Sequence, residues 1–322
     1  MTPLARRPAS GPLARPSDAR VRHYVEQGRS PNTMRAYRGD VKRFVAWCDE
    51  GGYASLPANA EVVSAYLAHL ADSGKRSATI GRALAGIAKA HDLAGHASPA
   101  KDPLVRATLA GIKRVIGTKS NPVKPLLVDD IRKLVDVIPG DVRGDRDKAL
   151  LLVGFTGAFR RSELVAIDLR HMIFSDKGLL VLIPKSKTDQ EAQGQHVAIP
   201  FAGDERYCPV RAAKHWMTRA KIEREVAGPL FRKVVDNHVV DAKGLSAQTV
   251  KDIAKRWAKR AGIDPAKVAG HSLRAGYATS GALAGANVFQ LQSVTRHADV
   301  KSLQRYVRIE DLFANSPTKG LL

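Results

Sequence analysis

The sequence predicts a mainly helical protein of two domains: an N-terminal helical bundle, then a mixed, mostly helical domain with a small antiparallel β-sheet. Three observations predict it. The chain has 322 residues, enough for about two cores of ordinary size. Apolar residues recur at helical spacing through most of it, and two short apolar stretches flank a polar one as paired strands do. Hydrophobic residues make up 44% and charged residues 26%, a composition that folds around a core.

Residues 1–20 are rich in Pro, Arg, Ala and Ser, and Pro3, Pro8, Pro12 and Pro16 forbid a stable helix. This predicts a disordered basic arm. Residues 21–117 form the helical bundle. Ser30-Pro31 is a cap followed by proline at the first helical position. Tyr37, Val41, Phe44, Val45 and Cys48 then line one face, and Gly51-Gly52 stops the helix. A second helix runs from about Asn59 to Ser73, with Val62, Val63, Tyr66, Leu67 and Leu70 inward. A third spans about Ser77 to Gly95, and a fourth about Pro103 to Ile116. Residues 118–125 contain Pro122 and Pro125 and no apolar period, and they read as a linker.

The second domain occupies 126–322. Val128-Asp129-Asp130 opens a helix, another runs from about Asp145 to Thr156, and Ser162 to Leu169 reads as a third. Leu179–Pro184 reads as a strand and His196–Pro200 as its partner, joined as a hairpin by the polar stretch Lys185–Gln195. Cys208-Pro209 starts the next helix. Ser246 caps a strongly basic one, Ala247 to Ala261, and shorter helices follow through Arg308.

Charge narrows the function. Lys and Arg number 52 against 31 Asp and Glu, a net charge of +21. The surplus is +10 in residues 1–120 and +11 in the remainder, so it is no mere basic tail. Such a distribution suits a polyanion gripped by both halves, and nucleic acid is the simplest one. Solubility charge on a basic enzyme is the plainer alternative. No apolar run reaches about 18 residues, so no membrane partner is expected. Two cysteines, Cys48 and Cys208, make neither a disulfide framework nor a thiolate zinc site. A reducing, cytoplasmic setting is expected.

Basic stripes recur on predicted helices. Arg35, Arg38, Lys42 and Arg43 share one helix, and Lys75, Arg76, Arg82 and Lys89 surround another. Lys251, Lys255 and Lys259 fall every four residues, flanked by Arg256. Like charges at that spacing repel by a few tenths of a kcal/mol (about 0.2–0.5) per pair unless an anion compensates. These twelve residues are the candidate DNA contacts.

Four further segments could carry chemistry. In Thr156–Leu164, Arg160 starts a helix and Glu163 follows three residues on. In Gly270–Arg274, His271 and Arg274 share a face at a helix start, a natural oxyanion or phosphate site. His297 precedes Tyr306 by nine residues, and Lys185-Ser186-Lys187-Thr188 lies at the hairpin. Each has an ordinary reading alone: a surface ion pair, a structural His–Arg pair, a cap and a core tyrosine, solubilising lysines.

In this order and spacing, the segments resemble the tyrosine site-specific recombinases, the phage integrase family. The family pattern is Arg-x-Ser/Ala-Glu, a hairpin Lys, His-x-x-Arg, then His or Trp nine residues before a Tyr nucleophile. The resemblance covers essentially the whole chain beyond the arm. It selects Arg160 over Arg161 through register with Ser162-Glu163, and Lys187 over Lys185 through Ser186-Lys187-Thr188. It departs at Ala158-Phe159, where Gly-Leu is more usual.

The resemblance implies a SAM-like core-binding fold for 21–117 and a catalytic domain in 126–322. It implies a site-specific recombinase that cleaves and rejoins duplex DNA through a 3′-phosphotyrosyl intermediate. Arg160, Arg274 and His297 would hold the phosphate, and Tyr306 would attack it. His271 would take the tyrosine proton or bind phosphate, Lys187 would protonate the leaving 5′-oxygen, and Glu163 would orient the cluster. No metal, ATP or other cofactor is implied. The implied partner is double-stranded DNA with specific target sites. The implied assembly is a homotetramer on two sites from monomers free in solution, with the C-terminal segment around Ile309, Leu312 and Phe313 docking on a neighbouring protomer. A type IB topoisomerase-like relaxing enzyme and a non-catalytic DNA-binding regulator of the same fold are the alternatives.

Overall fold

Side-chain caps set several of the helix starts in the computed structural model, which describes residues 31–118, 124–184, 194–236 and 238–296. The chain divides into two units, Met1–Asn121 and Pro122–Leu322. The expected arm lies outside the described residues, as does most of the linker, residues 119–123.

The first unit contains α1 (Pro31–Gly51), α2 (Ala60–Asp72), α3 (Ser77–Ala94) and α4 (Pro103–Ile116). Asn59 starts α2 by accepting the Val62 N–H at 2.8 Å, and Asp102 starts α4 by accepting that of Leu104. Each supplies an acceptor to a helical N–H that has no intrahelical partner. Gly95, at φ 78°, ends α3. Phe44, Cys48, Val63, Tyr66, Leu67, Ile80, Ile87 and Val105 form the core. His91 is a structural member of it. Its Nδ1 lies 2.8 Å from the Ile87 carbonyl, and its Nε2 accepts the Ala58 N–H at 2.9 Å, which fixes the Nδ1–H tautomer.

The second unit is built on α6 (Val142–Thr156), in which every residue from Gly144 to Phe155 except Lys148 is buried. Asp141 caps it through the Gly144 N–H at 2.6 Å, so it starts three residues earlier than expected. Around it lie α5 (Val128–Asp136), α7 (Arg161–Val165), α8 (Pro209–Arg219), α9 (Ala247–Arg260), α10 (Ser272–Leu283) and α11 (Val288–Thr295). The expected hairpin is present as β2 (Gly178–Ile183) and β3 (Gln195–Pro200), antiparallel with Leu180 opposite Ala198. A short strand, β1 (Met172–Phe174), adds to β2, giving the order β1-β2-β3. A second hairpin, β4 (Arg232–Val235) with β5 (Val239–Gly244), was not anticipated. The fold is the mainly helical one expected, with more strand than the sequence suggests.

One helix is corrected. Ser162 to Leu169 is not a single helix, because α7 ends at Val165. The backbone beyond it turns to pair with another segment: Ile167 accepts from the Leu230 N–H at 2.9 Å, and the Leu169 N–H donates to Gly228 at 2.9 Å. Asp168 then caps a short 3₁₀ turn, Leu169–His171.

Two glycines let the helices that carry the site close on one another. A Cβ at Gly154 on α6 would lie 2.7 Å from Leu164 of α7 and 3.2 Å from Leu273 of α10. A Cβ at Gly276 on α10 would run into the carbonyl oxygen of Leu126, a backbone atom that no rotamer change can move. Leu126 is also fastened there, its N–H bonded to the Ser272 carbonyl at 3.1 Å. Gly276→Ala is therefore expected to destabilise the second unit by about 1–3 kcal/mol, the usual range for overpacking. That corresponds to a thermal midpoint roughly 2–12 °C lower for a unit of this size. Calorimetry of the full chain checks this, and an unchanged midpoint contradicts the packing argument.

Candidate active site

The site is assembled where the end of α6 turns into α7 and meets the start of α10. After Thr156 the chain passes through Gly157 and Ala158, and Ala158 sits at φ 44°. This is a left-handed conformation that glycine adopts freely and alanine does not. It falls at the position where the sequence departs from the commoner Gly-Leu. The turn places the Ala158 carbonyl toward α10, where it accepts from Arg274 Nη1 at 2.8 Å. Arg274 is 1% exposed, a guanidinium held almost wholly inside the protein.

Arg160 follows in extended backbone as the residue preceding α7. Its N–H donates to Glu163 Oε2 at 2.9 Å, and its Nη1 to Glu163 Oε1 at 2.5 Å. Its Nη2 donates to the carbonyl of Arg296 at 3.2 Å. Glu163 is buried and accepts a further bond at 3.0 Å from Arg296 Nη2. Burial alone would raise the Glu163 carboxyl. The Arg160 side-chain and backbone hydrogen bonds, with the charges of Arg296 and Arg160, outweigh it and hold the carboxyl below its usual range. Glu163 is therefore an anion at neutral pH. Arg161, the other half of the tandem, lies across Gly270, where a Cβ would collide with its Cδ.

His271 directly precedes α10. Its ring keeps solvent access, yet enough protein surrounds it for lost hydration to be the main influence on its charge. That burial, followed by the charges of Arg274, Arg160 and Arg161, pushes its pKa below the ordinary histidine value. Arg160 and Arg296 thus share the Glu163 carboxylate, Arg274 and Arg296 share the Ala158 carbonyl, and His271 feels the charges of Arg274 and Arg160. The cluster keeps an excess of positive charge in a region of low polarity. A bound anion would compensate that excess and receive planar, charge-assisted hydrogen bonds. Of the expected catalytic residues, Arg160, His271 and Arg274 are brought together with Glu163. Lys187, His297 and Tyr306 lie outside the described residues.

The expected DNA contacts divide by surroundings. Arg35, Arg38, Lys42, Arg43, Lys75, Arg76 and Arg82 are exposed, and Lys89 is half-buried. Asp40, buried at 2% exposure, accepts from Arg43 of α1 and from Arg82 Nε of α3 at 2.7 Å. One acid thereby places two of the candidate arginines side by side. On α9, Lys259 is exposed, and Lys251 and Lys255 are half-buried. Arg256 is also exposed, but its Nη1 lies 3.6 Å from the buried carboxylate of Asp147. Asp147 also accepts from Arg146 Nε at 2.9 Å and Trp257 Nε1 at 2.8 Å. Arg256 therefore has an internal partner that the stripe pattern did not reveal.

Sequence reasoning missed Arg296 and Asp40. Asp40 could have been found as a lone acid between Arg38 and Arg43 on a basic helix. Arg296 carried only the signal of standing next to His297.

Comparison with known proteins agrees with this geometry. Residues 124–312 match the phage integrase family, and residues 22–96 match its N-terminal SAM-like domain. An integrase/recombinase XerD homolog of Selenomonas ruminantium is 36% identical over 301 residues, covering 92% of this chain and 87% of that protein. Tyrosine recombinase XerD of Halalkalibacterium halodurans is 26% identical, covering 90% and 93%. The Tn1549 transposon integrase, solved in complex with transposon right end DNA, has the same fold: TM-score 0.63 at 15% identity, covering 94% of this chain and 98% of that one. An Arg–Glu–His–Arg cluster on this fold, with family matches over both units, has one consistent reading: the chain belongs to the phage integrase family of tyrosine recombinases.

Proposed function

We propose that this protein is a site-specific DNA recombinase that cleaves duplex DNA, holds it as a 3′-phosphotyrosyl intermediate on Tyr306 and rejoins it to a partner strand. The observation that carries the reading is that Arg160, His271 and Arg274 come together, Arg160 on the Glu163 carboxylate and Arg274 on the Ala158 carbonyl, with positive charge left in excess. A phosphodiester resists nucleophiles because it is anionic, and charge grows on its nonbridging oxygens during attack. Arg160 and Arg274 stabilise that charge with donors already fixed in place, and His297 adds a third contact. His271, kept neutral by its surroundings, accepts the proton of the Tyr306 hydroxyl as it attacks. Lys187 returns a proton to the leaving 5′-oxygen. Glu163 orients Arg160 and does not touch the phosphate. The phosphotyrosyl bond conserves the energy of the broken one, so religation proceeds by the same step in reverse.

The exposed bases of both units hold the duplex, Arg43 and Arg82 as a pair set by Asp40. Strand exchange needs two sites and four protomers, and we assign their linkage to the C-terminal segment. Leu283, Val288 and Phe289 are exposed beside the groove formed by Tyr277, Gly281, Leu291 and Val294. That apolar rim suits Ile309, Leu312 and Phe313 of a neighbouring protomer. The protein is a monomer free in solution and acts on cytoplasmic DNA. Among the described residues no helix is long and apolar enough to cross a membrane. The relatives found are recombinases, which favours neither the topoisomerase-like nor the regulator reading.

Tyr306→Phe is expected to abolish covalent attachment to a nicked suicide substrate, with DNA affinity unchanged within about threefold. A denaturing gel reads the adduct, and an undiminished adduct in the variant contradicts the assignment. A second expectation concerns pH. A histidine with a depressed pKa stays neutral until pH falls through that lower value. Cleavage measured below saturating DNA reports the free enzyme. Its acid limb should therefore lie below about 6.5, the ordinary histidine value. A limb at or above pH 7 contradicts the role given to His271.

A further inference from the structure

Arg296 stands outside the family pattern, yet its side chain is tied into the site by four hydrogen bonds of its own. It ends α11 in a left-handed conformation, φ 54° and ψ 44°, which glycine would adopt without strain. Its side chain is only 3% exposed. A non-glycine residue persists in such a conformation only where its surroundings over-determine it. Here they do. Nη1 donates to the Gly157 carbonyl at 3.1 Å and the Val294 carbonyl at 2.6 Å. Nη2 donates to the Ala158 carbonyl at 3.2 Å and Glu163 Oε2 at 3.0 Å. The guanidinium lies 5.2 Å from the centre of the Phe159 ring. The backbone completes the ring of bonds, since the Arg296 carbonyl accepts from Arg160 Nη2 at 3.2 Å.

These contacts fall on both sides of the site. The Ala158 carbonyl that binds Arg296 also binds Arg274, and the Glu163 carboxylate that binds Arg296 also binds Arg160. One buried guanidinium therefore braces both arginines that would hold the phosphate, and it does so from the residue next to His297. A buried cation beside two others is unfavourable by itself, and the Glu163 carboxylate offsets it. Its presence where glycine would suit the backbone calls for a role in the cluster.

We infer that Arg296 is a positioning residue for DNA cleavage: through Glu163 it fixes the Arg160 guanidinium against the backbone that leads into His297. The inference rests on the recombinase reading of Arg160, and the two are tested apart. A wild-type protein that forms no covalent adduct with DNA fails the recombinase reading. A wild type that cleaves, with Arg296 variants that cleave equally well, fails this inference alone.

The experiment is single-turnover cleavage of a suicide duplex at saturating DNA, with Kd measured in parallel, for the full-length chain. Arg296→Gly removes the side chain while suiting the backbone. It is expected to slow cleavage about 10–100-fold, the range for losing a group that orients a reacting one, with Kd unchanged within about threefold. Arg296→Lys keeps a cation beside Glu163, should recover part of that rate, and carries the test if the glycine variant does not fold. The decisive arm is a cycle with Glu163→Gln. If Arg296 acts through Glu163, the two losses do not multiply, and Arg296→Gly costs at least about threefold less in the Glu163→Gln background. Losses that multiply fully, a loss confined to Kd, or wild-type rates in the variants would overturn the inference.

Discussion

Two of the arginines at the site, Arg160 and Arg296, depend on one buried carboxylate. Glu163 accepts from the backbone and side chain of Arg160 and from the side chain of Arg296, and these bonds keep it ionised where burial alone would neutralise it. Were it neutral, two guanidinium groups would face one another in a region of low polarity without compensation. With it ionised, Arg160 is held in one orientation and positive charge is still left over for an incoming phosphate. The backbone serves the same end. Gly154 lets α7 and α10 close on α6, and the left-handed turn at Ala158 aims a carbonyl at Arg274 and Arg296. The site is thus organised before DNA arrives, which is what electrostatic stabilisation of a transition state requires.

The first unit repeats the device with a different outcome. Asp40 is as buried as Glu163 and also serves two arginines, but Arg43 and Arg82 remain at the surface. The carboxylate there reduces the freedom of two long side chains and sets their spacing, while their charged ends stay open to solvent. On α9 the buried Asp147 likewise has an exposed arginine beside it, Arg256, at 3.6 Å. Buried acids thus stand behind exposed arginines in both units.

Much of the fold was legible because its boundaries are chemical. Asn59, Asp102, Gly95 and Ser246 mark helix ends by hydrogen-bonding and backbone preferences that act locally. The β2–β3 hairpin was legible because two short stretches with apolar residues flank a polar one. The β4–β5 hairpin was not, since Arg232 to Val235 and Val239 to Gly244 are too short and polar to alternate clearly. Nor was the end of α7, because its backbone is captured by Gly228 and Leu230, some sixty residues away in sequence. The site shows the same division. Arg160, Glu163, His271 and Arg274 stood out as a motif in order. Arg296 did not, because its role comes from a long-range approach to Gly157, Ala158 and Glu163 that no local pattern encodes.

The central claim is that the arginine cluster acts on the reacting phosphate rather than merely on DNA affinity. The most direct measurement is the cleavage rate of Arg160→Ala on saturating suicide duplex, set beside its Kd for the same duplex. A fall of about 10²–10³-fold in rate, the usual effect of removing one preorganised donor, with Kd altered only a few-fold, is the predicted result. An unchanged rate, or a loss accounted for wholly by weaker binding, would contradict it.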